Sequence, residues 1–553
     1  REIIPYVIAT LNAILAFLLL LLIGWSNPLD LQGVIPLEGR GLNPLLQNPA
    51  MAIHPPSLYL GFIGFSVPFA FAMGGLILGK MDNEWVLTTR RWTLTAWYFL
   101  SAGLILGGQW AYEELGWGGF WAWDPVENAA LMPWLTGTAF LHSVMIQEKR
   151  NMLKIWNVVL IILTFGLTIV GTFLTRSGII NSVHAFTQSE IGPAFLIFLA
   201  FILVIGFALL FKRIQMLESE HKIESVLCRE NTFLAQNVLL VGIAFTVLLG
   251  TTFPLLAEAV RGTKLSIQAP FFNTIIAPMG YLLLLLMGVG TLIAWRKSSW
   301  EGLRRNFKNP LILATVGTVF LAWFLADRNL LWSVHTIFWL TIFVTSTIVL
   351  EIVKAVQAKS SQTKSNFIIG LFYVIARNPR RYGGLLIHFG VVLMFLGFAG
   401  TFFKVERNMT LEPGVPQQIG EYSLEFKQME EYKVGNATHR ASIVEVYDKE
   451  GDFLEVLKPA KSFYPTQPQP LTEVAIRRSF LEDLYLIFSS ENGEEQGSIT
   501  LRVFINPLVG WAWMALPVFT LGVGLSLSYR PKSLVAHETI LRERYLAAQV
   551  LNS

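Results

Sequence analysis

Twelve apolar runs, each close to the length that crosses a bilayer, constrain what this chain can become. They fall at 3–24, 58–78, 92–110, 129–146, 155–174, 193–211, 234–254, 275–295, 311–326, 332–353, 384–403 and 508–528. A hydrocarbon core ~30 Å thick is spanned by about 20 helical residues. Inside it every backbone polar group has to be bonded within its own segment, so each run is expected to form a helix. Composition agrees: of 553 residues, 53% are hydrophobic and 14% charged, so lipid must solvate most of the surface. The chain opens on Arg1 rather than Met, and the apolar run behind it is too long for a signal-peptide core. The start therefore reads as a trimmed N-terminus, which leaves open whether further helices precede it.

Positive charge in alternate connections gives the expected orientation. One set of connections, with the N-terminal stub and the tail after Tyr529, holds 26 of the 42 Lys and Arg. Lys80, Arg90, Arg91, Lys149, Arg150, Lys154, Arg377, Arg380 and Arg381 are among them. The opposite short loops hold five: Arg40, Arg176, Arg261, Lys264 and Arg328. Both ends of the chain are thus expected in the cytoplasm. A net charge of +4 over this length gives no reason to expect a nucleic-acid partner. The single cysteine, Cys228, excludes an internal disulfide framework, a CxxC redox pair and a CxxCH haem-attachment site.

Between the last two runs the pattern changes. Short alternating stretches at 441–447, 453–457, 484–488 and 500–505, punctuated by Gly, Pro and Asn, carry the period-two pattern of half-buried strands. The expected architecture is an all-α polytopic membrane protein of about 12 transmembrane helices, with a small all-β extracytoplasmic domain inserted before the last helix. Residues 1–110 would supply three helices and an outer segment around His54, 111–134 an outer loop, and 129–403 helices four to eleven. Residues 404–506 would form a β-barrel-like domain, and 507–553 the last helix and a cytoplasmic tail. A short amphipathic helix at 366–376 is expected to lie along the inner interface.

The densest chemical signal follows the third run: Trp110-Ala-Tyr-Glu-Glu-Leu-Gly-Trp117-Gly-Gly-Phe-Trp121-Ala-Trp123-Asp124-Pro-Val-Glu127-Asn128, with Trp134 beyond. Tryptophan is enriched at headgroup depth anyway, but this density, broken by Gly-Gly, exceeds what anchoring needs. Broad π-faces with close backbone approach suit a flat apolar macrocycle. Asp124, Pro125 and Glu127 also stand at the N-cap, N1 and N3 positions of a capping box opening the fourth helix, the role favoured for both carboxylates.

Topology sorts the eight histidines. His54 and His184 fall in outer loops on the side of the tryptophans and are expected to converge there as axial ligands of haem iron. His142 and His388 lie inside the fourth and eleventh runs at matching depth, near the cytoplasmic end, where two imidazoles would clamp a planar haem between helices. His335 has no counterpart at its depth and reads as structural, while His221, His439 and His537 read as solvated. Arg176 reads equally as the partner of a haem propionate or as an interfacial anchor.

The tryptophan stretch resembles the WWD domain of haem-handling membrane proteins of cytochrome c biogenesis. Asn48-Pro-Ala-Met-Ala-Ile-His54-Pro-Pro-Ser and Gly171-Thr-Phe-Leu-Thr-Arg176-Ser-Gly-Ile-Ile-Asn-Ser-Val-His184-Ala-Phe are similar to blocks of the CcmF family in particular. The resemblance implies a haem lyase in the bacterial inner membrane. Its WWD loop (Trp117, Trp121, Trp123, Asp124), His54 and His184 would take haem from the chaperone CcmE for attachment to CxxCH cysteines of apocytochrome c. It further implies a buried b-type haem on His142 and His388 that reduces the incoming iron, quinol as electron source, and a CcmH-type thiol-handling partner. Two other classes remain open at this point: a WWD-type exporter presenting haem to a chaperone, and a quinol-linked electron-transfer subunit.

Overall fold

A computed structural model describes residues 2–31, 33, 35, 41–178, 182, 191–219, 221, 223–263, 265–326, 331–465, 467, 469–492 and 497–529. His184, Lys264, Arg328 and His537 lie outside the described residues. In chain order the helices begin with α1 (Ile4–Gly24), α2 (His54–Gly64), α3 (Ser66–Leu78), α4 (Glu84–Glu114), α5 (Pro125–Arg150), α6 (Lys154–Arg176) and α7 (Gly192–Lys212). They continue with α8 (Arg229–Arg261), α9 (Ala269–Leu292), α10 (Trp300–Phe324), α11 (Trp332–Thr363), α12 (Phe367–Arg377), α13 (Pro379–Gly400) and α14 (Val509–Ser528).

Eleven stretches among the described residues are helical, long and apolar enough to cross a membrane, α2 and α3 together forming one of them. The expected run at 92–110 lies inside α4, which has the length, at 31 residues, but a more polar composition. The reason is its position. Packed by neighbours, α4 buries Thr89, Thr93 and Ser101, each donating its hydroxyl to the carbonyl one turn back. A helix shielded by other helices does not need a lipid-like surface. The short α12 coincides with the expected interfacial segment. Asn366 caps it, and Phe367, Ile368, Ile369 and Phe372 are exposed along it.

Between α13 and α14 stand ten strands: β1 (Val405–Leu411), β2 (Gln417–Ile419), β3 (Tyr422–Val434), β4 (Ala437–Tyr447), β5 (Phe453–Leu457), β6 (Ala460–Phe463), β7 (Leu471–Glu473), β8 (Ala475–Arg477), β9 (Glu482–Asn492) and β10 (Ser498–Pro507). They form two sheets rather than the expected barrel. One runs β1-β10-β9-β8, the other β2-β3-β4-β6-β7 with β5 on β4. Alternation along a strand reveals that one face is buried but not which strands share a sheet. Here β7 and β8, separated by Val474 alone, belong to different sheets. Leu424, Phe426, Val444 and Val446 from one sheet meet Leu484, Leu486, Leu501 and Val503 from the other, the alternating core of a sandwich.

The sandwich is seated on the end of α4 by a buried polar seam. The Tyr112 hydroxyl donates to Asp483 Oδ2 at 3.3 Å and accepts from Asn506 Nδ2 at 3.0 Å, while the Ser479 N–H donates to Asp483 Oδ1 at 3.2 Å. Arg478 and Glu113 add an ion pair at its rim. Burial pushes the Asp483 carboxyl up to about 6, because desolvation penalises the charged form.

Candidate functional site

The outer segment, the tryptophan loop and the sandwich gather at one end of the bundle. Asn48 caps the 3-10 turn Pro49–Ala52 and donates its side-chain N–H to Glu114 Oε1 at 2.7 Å, tying this segment to the end of α4. Trp110 is buried there and donates its indole N–H to the Leu45 carbonyl at 3.2 Å. His54 opens α2, its Nδ1 2.8 Å from the Gly103 carbonyl. A carbonyl can only accept, so Nδ1 carries the proton and Nε2 is the basic nitrogen. The ring lies so close to Gly107 that a Cβ there would stand 2.5 Å from His54 Cε1.

The loop from Leu115 to Asp124 is shaped by left-handed residues. Gly116, Gly118 and, without the ease of glycine, Trp123 have positive φ, the last at 58°. A bulky residue holds that conformation only when its surroundings enforce it. Asn128 Nδ2 donates to the Trp123 carbonyl, the Trp123 indole N–H donates to Asn273 Oδ1 at 2.8 Å, and the indole stacks on Phe272 with centroids 4.8 Å apart at 12°. One face of Trp123 is thereby covered by α9. Trp121 meets Trp123 edge to face at 5.7 Å. Trp117 is half-buried between the two left-handed glycines. Phe120 wedges between α13 and α14, against Phe398 and Trp513.

Asp124 and Glu127 form the capping box of α5. Asp124 Oδ1 accepts from the Val126 N–H at 2.9 Å and from the Ser182 hydroxyl at 2.6 Å. Arg176 ends α6 at this same end of the bundle.

A cavity of about 1610 Å³ runs through the bundle. Trp121, Trp123, Phe120 and Lys404 line one end; Arg90, Lys149, Arg229, Arg380 and Arg381 line the other; His142 and His388 lie along it. Trp117 stands outside its lining. The two imidazoles face each other with ring centroids 6.1 Å apart and planes 11° from parallel. Two imidazoles bonded to one metal through nitrogens at about 2 Å bring their ring centres to about 6 Å, so the centroid spacing matches that of an axial pair on an iron porphyrin. The His142 Nδ1–H donates to the Thr138 carbonyl at 2.8 Å, leaving Nε2 as the lone-pair nitrogen. His388 Nδ1 is buried with no hydrogen-bond partner, an orphan of the kind that a bound group accounts for.

The other described histidines fall elsewhere. His335 Nδ1 donates to the Leu331 carbonyl at the N-cap of its own helix. His439, expected to be solvated, is half-buried, stacked on Tyr432 and bonded to Ser462 at 2.7 Å, because β3 and β6 bring both partners beside it. Phe272, Asn273, Phe233 and Trp295 escaped the sequence reading. They lie in or beside unremarkable apolar runs, and only the packing of α8 against α5, and of α9 against α8, reveals them.

This arrangement, a helix bundle with a tryptophan loop at one end and a paired-histidine cavity within, belongs to the membrane proteins of cytochrome c assembly. Residues 3–180 match the family profile described as cytochrome C assembly protein, and residues 402–507 match the CcmF C-terminal beta-sandwich. The CcmF protein of Pseudomonas fluorescens is 38% identical over 92% of this chain and 75% of its own length, and that of Escherichia coli K12 36% over 96% and 79%. A solved structure titled cytochrome c heme lyase CcmF superposes with a TM-score of 0.76 at 34% identity, covering 94% of this chain and 77% of that one. The chain belongs to the CcmF family of cytochrome c-type biogenesis proteins, and it is a multi-pass membrane protein.

Proposed function

We propose that this protein is a haem lyase of cytochrome c maturation in the bacterial inner membrane, with the tryptophan loop and sandwich on the periplasmic side and both chain ends in the cytoplasm. The observation that carries the reading is the His142–His388 pair, 6.1 Å apart on a cavity that also reaches Trp121 and Trp123. The relatives named for cytochrome c biogenesis support it.

Substrate haem comes from the CcmE chaperone to the tryptophan end. Trp121 and Trp117 offer π-faces, and Trp123, one face already stacked on Phe272, fixes the attitude of Trp121. His54 and His184 supply or exchange axial ligands, and Arg176 takes a propionate. Asp124 holds the loop to the start of α5. Apocytochrome c docks beside this end, against the sandwich or through a CcmH-type partner. Each CxxCH thiol then adds across a haem vinyl group: a C–S bond forms, the vinyl double bond is consumed, and the thiol proton goes to the neighbouring carbon. No cysteine of the chain is needed, in keeping with a lone, buried Cys228.

His142 and His388 hold a b-type haem, with Thr138 orienting His142. A haem held there would supply the one-electron chemistry that keeps the substrate iron ferrous, with quinol as the electron source.

Purified protein is expected to show a b-type visible spectrum that disappears in His142→Ala and in His388→Ala. Retention of the spectrum in both variants refutes the buried-haem reading. Cells lacking the protein are expected to accumulate haem-loaded chaperone; empty chaperone would point instead to an exporter.

A further inference from the structure

The charges at the far end of the cavity do not balance. Arg380 Nη1 donates to Glu148 Oε1 at 2.7 Å, and Arg90 Nη1 approaches the same oxygen at 3.5 Å, so two guanidinium groups share one carboxylate. Arg381 pairs with Glu351. Lys149 and Arg229 have no ion pair among the described residues. Both lie over the Trp295 indole, at 4.6 and 5.4 Å from its centroid. Arg229 Nη2 donates to the Thr291 carbonyl at 2.9 Å, while its Nε is buried with no acceptor. Among the described residues, five cations against two carboxylates around one cavity mouth is an arrangement that a bound anion would relieve.

These cations connect to the histidine pair. Phe233 contacts His142 edge to face at 5.6 Å and Trp295 at 6.0 Å, so imidazole, phenyl and indole form a continuous wall. Lys149 follows His142 by seven residues on α5, and Arg381 precedes His388 by seven on α13. Both intervals correspond to about 10 Å of helical rise. The two imidazoles therefore stand at one height above the cationic mouth, within the reach of a porphyrin and its propionate arms.

We propose that Lys149 and Arg229 hold the two carboxylates of the porphyrin clamped by His142 and His388, so that its polar edge faces Trp295 and its iron stays at the level of the imidazoles. This rests on the buried haem proposed above. An anionic lipid headgroup would offer similar oxygens. The place of Arg229 and Lys149 on the lining of the cavity that also holds His142 and His388, and the ring contacts from Trp295 through Phe233 to His142, favour the porphyrin.

The test uses the full chain in detergent, depleted of haem and titrated with haem or with haem dimethyl ester, whose propionates carry no charge. Wild type is expected to bind haem at least on the order of tenfold more tightly than the ester. Lys149→Gln/Arg229→Gln should lower haem affinity to that of the ester while leaving ester affinity unchanged, which also controls for folding. Lys149→Arg/Arg229→Lys should keep the discrimination. Wild type that does not distinguish the two porphyrins overturns the proposal, as does a double Gln variant that still does. Unchanged haem affinity in the Gln variant, with phosphatidylglycerol binding lost instead, assigns the cations to a lipid phosphate and also overturns it. A chain that gives a bis-imidazole spectrum with neither porphyrin refutes the parent reading, and this one with it.

Discussion

The seam between α4 and the sandwich makes a quantitative prediction about pH. Asp483 has an ordinary carboxyl value near 3.8 and is pushed up to about 6 in the folded protein. The folded chain therefore binds more protons than the unfolded chain between those values, and stability falls as pH rises through the interval. At about 1.4 kcal/mol per pH unit, the full penalty at neutral pH is about 3 kcal/mol. Asp483→Asn cannot ionise and keeps a polar group opposite the Tyr112 hydroxyl, so it should escape that penalty. Other groups also titrate over this range; Glu114, for example, is pushed up to about 7 by burial. The relevant quantity is thus the difference between the two proteins. Thermal unfolding in detergent from pH 4 to 8 should find them close at pH 4, with the Asn variant progressively more stable up to pH 7 and the gap level beyond. A gap that stays constant across the range, or that grows as pH falls, would refute the assignment of a raised value to Asp483.

Three further outcomes are expected. His54→Ala should abolish assembly of c-type cytochromes in cells while leaving the visible spectrum of the purified protein intact; normal cytochrome levels would remove His54 from the site. Trp123→Phe should cost about 1 kcal/mol through the lost bond to Asn273, and Trp123→Ala about 3 kcal/mol. Equal, small losses in chemical denaturation would contradict its role as a pillar. Gly118→Ala places a methyl group against the Phe504 ring at a left-handed position and should cost about 2 kcal/mol, seen as faster proteolysis of the tryptophan loop; unchanged protection would show that the loop can yield.

What could be read in advance follows the range of each interaction. Helices appear in the sequence because a span of hydrocarbon imposes a length on every run, and the depth of His142 and His388 could be counted from the charged ends of their helices. The capping box at Asp124 and Glu127 is local and was equally visible. Trp123 shows where such reading stops. Its covered face depends on Phe272, far along the chain, and nothing near residue 123 announces that partner. The same holds for α4, whose polar residues make sense only once its neighbours are in place, and for β7 and β8, whose separation into two sheets no alternation could disclose. The cationic mouth was legible only as a sign of sidedness. Its imbalance emerged when Trp295 gathered Lys149 and Arg229 beside the cavity.

The way the sandwich joins the bundle also bears on how such a protein can be assembled. Its first and last strands, β1 and β10, pair with each other along their length. The backbone at Gly400 touches that at Pro507, where α13 and α14 lie side by side. The whole domain is thus an outgrowth of a helical hairpin whose two stems already meet at its base. Cutting it out and sealing the gap with a few residues should leave the stems side by side, giving a miniature lyase with which to ask what the outgrowth adds.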